Sequence, residues 1–204
     1  MSNFRTELEV TSSEFNISFK QSLFFIGSCF TEHIGKKLSQ LKFNTFINPY
    51  GILYNPLSIH YSISRLLSGE IYTEAELLEK NRIWHSFDHH SLFSSMDKEE
   101  CLHKINETFL MGTKSICNAN VLFITFGSAH YYQMKESQKV VSNCHKYPSS
   151  VFDKKVIDLQ QTFDYYKTLF EKLMQLNSKL RIILTVSPIR YLSDGFIENQ
   201  VSKS

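Results

Sequence analysis

Ser28 is the residue in this chain best placed for nucleophilic chemistry. The run Leu23-Phe24-Phe25-Ile26 is apolar and strand-like, Gly27-Ser28 ends it, and residues 31–41 follow with helical spacing. A serine between a strand and a helix sits on a sharp turn, its hydroxyl exposed and backbone N–H groups around it, which is what an attacking hydroxyl needs. The same position suits a serine that only caps the helix. The segment is not a GxSxG elbow, because Phe30 stands where the second glycine would be. Cys29 is a rival nucleophile, but its side chain should leave the other side of the turn, where it packs or walls a substrate pocket.

Other reactive side chains gather in two segments. Trp84-His85-Ser86-Phe87-Asp88-His89-His90 carries enough donors for a metal. Its imidazoles lack the spacing that lets ligands converge, so an aromatic, His-rich loop lining a cleft through Trp84, His85 and His90 is the better reading, and no metal or cofactor is expected. Asn143-Cys144-His145-Lys146 pairs an amide that could donate to an oxyanion with an imidazole that could act as base. A plain surface loop would look the same.

The elements needed to position these groups alternate. Strands are expected at 23–28, 43–47, 121–126 and 181–187. Helices are expected at 31–41, from Asn55-Pro56 to Ser68-Gly69, near 73–80, at 97–117 and at 156–177, with 82–95 irregular. A polar, hairpin-like stretch follows Gly127. Alternation of this kind implies one domain with a mainly parallel sheet covered on both faces. Ser28, Gly51, Gly127-Ser128 and Ser187-Pro188 then all fall at the carboxyl ends of strands, the edge along which open α/β sheets bind ligands.

Composition narrows the partners. The 204 residues are 42% hydrophobic and 21% charged, with seventeen Phe and ten Tyr, as in an ordinary packed globular chain. The net charge of +2 is scattered, and Lys36-Lys37 reads as a solvated helix face, so no nucleic-acid partner is expected. Four widely spaced cysteines with no CxxC pair read as reduced thiols. The start, Met1 to Glu7, has no secretory pattern, and no apolar run reaches the ~18–20 residues of a membrane span. A cytoplasmic location is expected, with the oligomeric state open.

Ile26-Gly27-Ser28-Cys29-Phe30 resembles the motif that names the GSCFA family, a branch of the SGNH/GDSL-type hydrolase superfamily. The resemblance continues in order through Asn48-Pro49-Tyr50-Gly51, Tyr54-Asn55-Pro56, the segment 84–94, Gly127-Ser128-Ala129, Asn143 to Lys146, and Thr185 to Arg190. It ends with Asp194-Gly195, Glu198-Asn199-Gln200 and Ser202-Lys203. It implies a three-layer α/β/α sandwich, flavodoxin-like in sheet order. It also implies an ester- or acyl-group hydrolase or acyltransferase that works through an acyl-enzyme on a small-molecule or glycan ester. Ser28 matches the nucleophile, Gly51 the second-motif glycine of the oxyanion hole, and Gly127 opens the third motif. That motif lacks the superfamily's asparagine, for which Asn143 is the available substitute. No Asp-x-x-His follows 181–187, so the resemblance implies a domain incomplete at its C-terminal end, impaired unless another histidine such as His85, His90 or His145 serves as base. The alternative is a non-catalytic glycan- or ligand-binding module using Trp84, Tyr50 and the His-rich loop.

Overall fold

A computed structural model describes residues 15–189 together with 195, 197 and 202. The N-terminal residues read for a secretory signal, and the matched Arg190, Asp194 and 198–200, lie outside the described residues.

The chain runs β1 (Ser22–Gly27), α1 (Cys29–Gln40), β2 (Asn44–Ile47), α2 (Pro56–Ser68), β3 (Leu78–Lys80), β4 (Ile83–His85), α3 (Lys98–Cys117), β5 (Val121–Phe126), β6 (His130–Met134), β7 (Val140–Val141), β8 (Phe152–Val156), α4 (Leu159–Leu176) and β9 (Arg181–Val186). Four strands form a parallel sheet in the order β2-β1-β5-β9. β1 is buried on both sides, and its side chains alternate between two cores. Phe24 and Ile26 enter the large cluster with Ile59, Ile63, Ile105 and Phe109, while Leu23 and Phe25 face Leu38 and Phe43. So α1 covers one face and α2, α3 and α4 cover the other, the three layers that the alternating pattern implies. Residues opposite one another in register, Phe25 and Phe123, stack with ring centroids 4.4 Å apart. No helix among the described residues is long and apolar enough to cross a membrane.

Local signals set the helix ends. Asn55 accepts from Ser58 N–H at 2.8 Å with Pro56 in the first turn, and Gly69 closes α2 in a left-handed conformation. Asn55→Ala is expected to cost about 1 kcal/mol, read as a lower urea midpoint at unchanged m-value.

Three segments differ from the expected elements. Thr73 to Lys80 is not a helix: one 3₁₀ turn, Glu74–Glu76, leads directly into β3. Too few residues remain there to repay helix nucleation, and the Glu76 carboxylate is taken by Arg65 and by Thr73 N–H at 2.9 Å. The first residues of 156–177 are also not helical. Asp158 caps α4 through Gln161 N–H at 2.6 Å, and the chain before it pairs with β6 as β8. Finally, 83–85, expected to be irregular, form β4 against β3, whereas the hairpin-like stretch after Gly127 is a hairpin, β6 with β7, which β8 extends into a separate antiparallel sheet. Phe163 of α4 is exposed and lines an open apolar groove beside Leu184 of β9, the last strand of the sheet among the described residues.

Candidate functional site

In the order β2-β1-β5-β9, the chain leaves β1 toward one side of the sheet and later leaves β5 toward the other. The carboxyl ends of β1 and β5 therefore bound the crevice where such sheets hold ligands, and Ser28 follows β1 there. Gly27 reaches it with φ +137°. Its N–H donates to Asn48 Oδ1 at 2.9 Å, and its carbonyl accepts from Leu53 N–H at 2.9 Å. Ser28 occupies the N-cap position of α1 in extended backbone, donating its N–H to Thr125 O at 3.2 Å.

The Ser28 hydroxyl matches neither form expected of it. It is 0% exposed rather than open to solvent, and it makes no cap bond to α1. Burial comes from the neighbouring strand ends. Gly127 N–H and Ser128 N–H both donate to Tyr54 O, at 2.7 and 2.9 Å, which draws these two turns over the serine. A Cβ on Gly127 would lie 3.2 Å from Ser28 Cβ. The N–H groups of Gly127 and Ser128 are thus spent on structure.

Ser28 Oγ has no hydrogen-bond partner among the described residues, and neither do Thr31 Oγ1 and Asn48 Nδ2, all of them buried. Leaving one such group unbonded costs about 1–3 kcal/mol, a cost that native proteins rarely carry without use. The first N–H groups of α1, at Cys29, Phe30 and Thr31, have no intrahelical acceptor and sit at the positive end of the helix dipole. Cys29 begins α1 as a half-buried free thiol.

Gly51 lies one turn away. Its φ is +75°, its N–H donates to Asn48 O at 2.8 Å, and a Cβ there would meet His90 Cβ at 2.3 Å. Glycine is required because His90 packs against it. His90 is further fixed by its N–H to Tyr50 O at 2.8 Å, with its Nδ1 accepting from Leu92 N–H at 3.3 Å. Asn48 and Gly51, with Glu32, Lys36, Lys104 and Glu107, wall a cavity of about 360 Å³ between α1 and α3.

The remaining candidates form a second cluster. His85 and His145 have ring centroids 4.3 Å apart, with Phe87 and Tyr147 beside them. His145 Nε2 lies 2.9 Å from Ser86 O and 3.1 Å from His89 O. Carbonyls only accept, so this nitrogen carries the proton and donates it to both. Burial, reinforced by His85, pushes His145 down to about 4, so the ring is neutral near pH 7. Asn143 Oδ1 accepts from His145 N–H at 2.8 Å, which ties the pair to its own loop. Trp84 is held elsewhere, by backbone bonds with Ser95 and by Lys98 Nζ 4.9 Å above its ring. No group of three His, Cys, Asp or Glu among the described residues is arranged to hold a metal.

Sequence reasoning named Asn48 and His89 within their motifs but gave neither a role of its own. His89 is almost fully buried, stacked 4.8 Å from Tyr50 and edge-on to Tyr72. Asn48 has φ +47°, and the signal for it was the Asn-Pro turn immediately after β2.

The sequence model of the GSCFA family matches residues 22–204. The chain belongs to the GSCFA family. The match begins at β1 and takes in both clusters, so the GSCFA motif at Gly27 to Phe30 is the turn that carries the orphaned hydroxyl. No curated protein and no solved structure matches this GSCFA chain.

Proposed function

We propose that this GSCFA protein is a serine acyl hydrolase or acyltransferase of the SGNH kind that forms an acyl-enzyme on Ser28. The observation carrying this reading is the Ser28 hydroxyl itself: at the switch point of the sheet, at the positive end of α1, and without a partner among the described residues. In this reading Ser28 Oγ bonds to the acyl carbon of an ester, the carbonyl electron pair moves to oxygen, and the Oγ proton passes to a base. Collapse of that adduct expels the alcohol, which takes a proton. The turns bearing Gly51, Gly127 and Ser128, with Cys29 and His90, wall the acyl pocket. The cluster of His85, Asn143 and His145 bounds the side where the remainder of a small-molecule or glycan ester enters.

No described histidine is hydrogen-bonded to Ser28. A serine without a bonded base is a weak nucleophile, so acylation is expected to be slow and limited to activated esters. The burial of Ser28 supports a second reading, a module that binds an acylated ligand without turning it over.

Incubation with p-nitrophenyl acetate and intact-mass analysis separates the two. One acetyl group on the peptide containing Ser28, absent from Ser28→Ala, supports the acyl-enzyme. An unmodified Ser28 with ligand bound, or acetylation that persists in Ser28→Ala, rejects it.

A further inference from the structure

Asn48 offers its two amide atoms to different tasks. Oδ1 accepts from Gly27 N–H at 2.9 Å, and because a backbone N–H can only donate, that bond fixes which end of the amide is oxygen. Nδ2 therefore points elsewhere with two hydrogens. The residue is only 7% exposed, and Nδ2 has no acceptor among the described residues. The φ of +47° explains an asparagine, aspartate or glycine at this position. It does not explain a buried donor with nothing to bond.

The surroundings supply the rest of the argument. Gly27, which Asn48 holds by its N–H, directly precedes Ser28. Ser28 Oγ and Thr31 Oγ1, about one turn apart at the start of α1, are buried and equally unpartnered. Asn48 also lines the cavity of about 360 Å³ between α1 and α3. Asn143, the amide expected from the sequence to serve this purpose, belongs to the His145 cluster: its Oδ1 accepts from His145 N–H and its backbone N–H donates to Phe87 O.

We propose that Asn48 Nδ2 is the side-chain donor for the acyl oxygen of the ligand held at Ser28, bonding a carbonyl or carboxylate oxygen in the bound state and the oxyanion of the acyl adduct. The proposal rests on the reading of Ser28 as the acyl acceptor and adds to it the group that holds the oxygen. Asn48 is locked by Gly27 before any ligand arrives, so the donor needs no rearrangement to act.

Two measurements test it separately from that reading. In the ¹⁵N-labelled chain, acetate, the acid that an acetyl ester would release, is titrated while the Asn48 side-chain amide is followed. A saturable shift present in both wild type and Ser28→Ala is expected, and no shift in either protein overturns the proposal. The rate of Ser28 acetylation by p-nitrophenyl acetate is then compared with Asn48→Asp and Asn48→Gly. Aspartate keeps the acceptor for Gly27 N–H and loses the donor, whereas glycine keeps only the left-handed backbone. Both are expected to acylate about 10²- to 10³-fold more slowly, with apparent KM changing far less. An aspartate variant reacting at the wild-type rate overturns the proposal. If acetate shifts Asn48 while wild-type Ser28 is never acetylated, the serine reading fails and the donor stands.

Discussion

Gly27→Ala is expected to abolish the fold, with a loss of more than about 4 kcal/mol and the variant recovered only as insoluble chain. The backbone at Gly27 has φ +137°, which L side chains rarely adopt. Sterics add to that strain. A Cβ there would lie 2.2 Å from Thr125 O and 2.9 Å from Thr125 N, both backbone atoms of the paired strand, so no rotamer change relieves the clash. The only escape is to part β1 from β5 at the end of the sheet, which also breaks the bonds of Gly27 to Asn48 and Leu53. Gly69→Ala is the control. Gly69 also has positive φ, +70°, but a Cβ there meets nothing within 4 Å, so its cost is the left-handed penalty of about 1 kcal/mol. Soluble yield and thermal midpoint of the two variants measure the difference. A soluble Gly27→Ala with a midpoint near that of Gly69→Ala would show that β1 and β5 are not in the register described.

Lowering the pH from 7 to 5 is expected to destabilise the protein by about 3 kcal/mol, or roughly 10 °C in Tm for a chain of this size. His89, His145, His85 and His60 are all lowered from the ordinary histidine value of 6.5, each chiefly by burial. The unfolded chain takes up protons near 6.5. The folded chain refuses them until His145 titrates at about 4, and His89 refuses them well below 6.5. The unfolded state thus binds more protons throughout this window, and stability is present above 6.5 and lost as pH falls. His89 should contribute most because it is almost fully buried, while the half-buried rings of His60 and His145 are screened by solvent. Glu76 does not blur the window, since its carboxyl is lowered below 4.5 by Arg65 and Thr73 against the desolvation that raises it. His89→Phe keeps the stack on Tyr50 and removes the titration, so its Tm should depend less steeply on pH. Equal slopes in the two proteins would exclude His89 as the source.

Gly27 and His89 lie in different parts of what sequence reasoning could reach. The sheet was legible because its signals are local. Leu23 to Ile26 and Val121 to Phe126 are continuous apolar runs, as strands buried on both faces must be, and Asn55-Pro56 with Ser68-Gly69 bracket α2 by capping chemistry. The short pieces were not legible. Residues 78–80 became a strand because 83–85 pair with them, and 152–156 because β6 does. A few polar residues have no periodicity that could show a partner so far along the chain.

The same division runs through the site. The sequence by itself determined that Ser28 follows a strand, that a helix starts beside it, and that Gly51, Gly127 and Ser128 end on the same edge, because strand direction and connection handedness leave few other arrangements. Only the tertiary structure decided what state those groups are in. Tyr54 O drew Gly127 and Ser128 over Ser28 and buried its hydroxyl, His145 Nε2–H was taken up in hydrogen bonds to Ser86 O and His89 O, and Gly27 turned Asn48 inward with an empty donor. These outcomes depend on hydrogen bonds between residues tens of positions apart. Whether a buried group is satisfied is set by which donors and acceptors packing brings within about 3 Å of it, and spacing along the chain does not carry that distance.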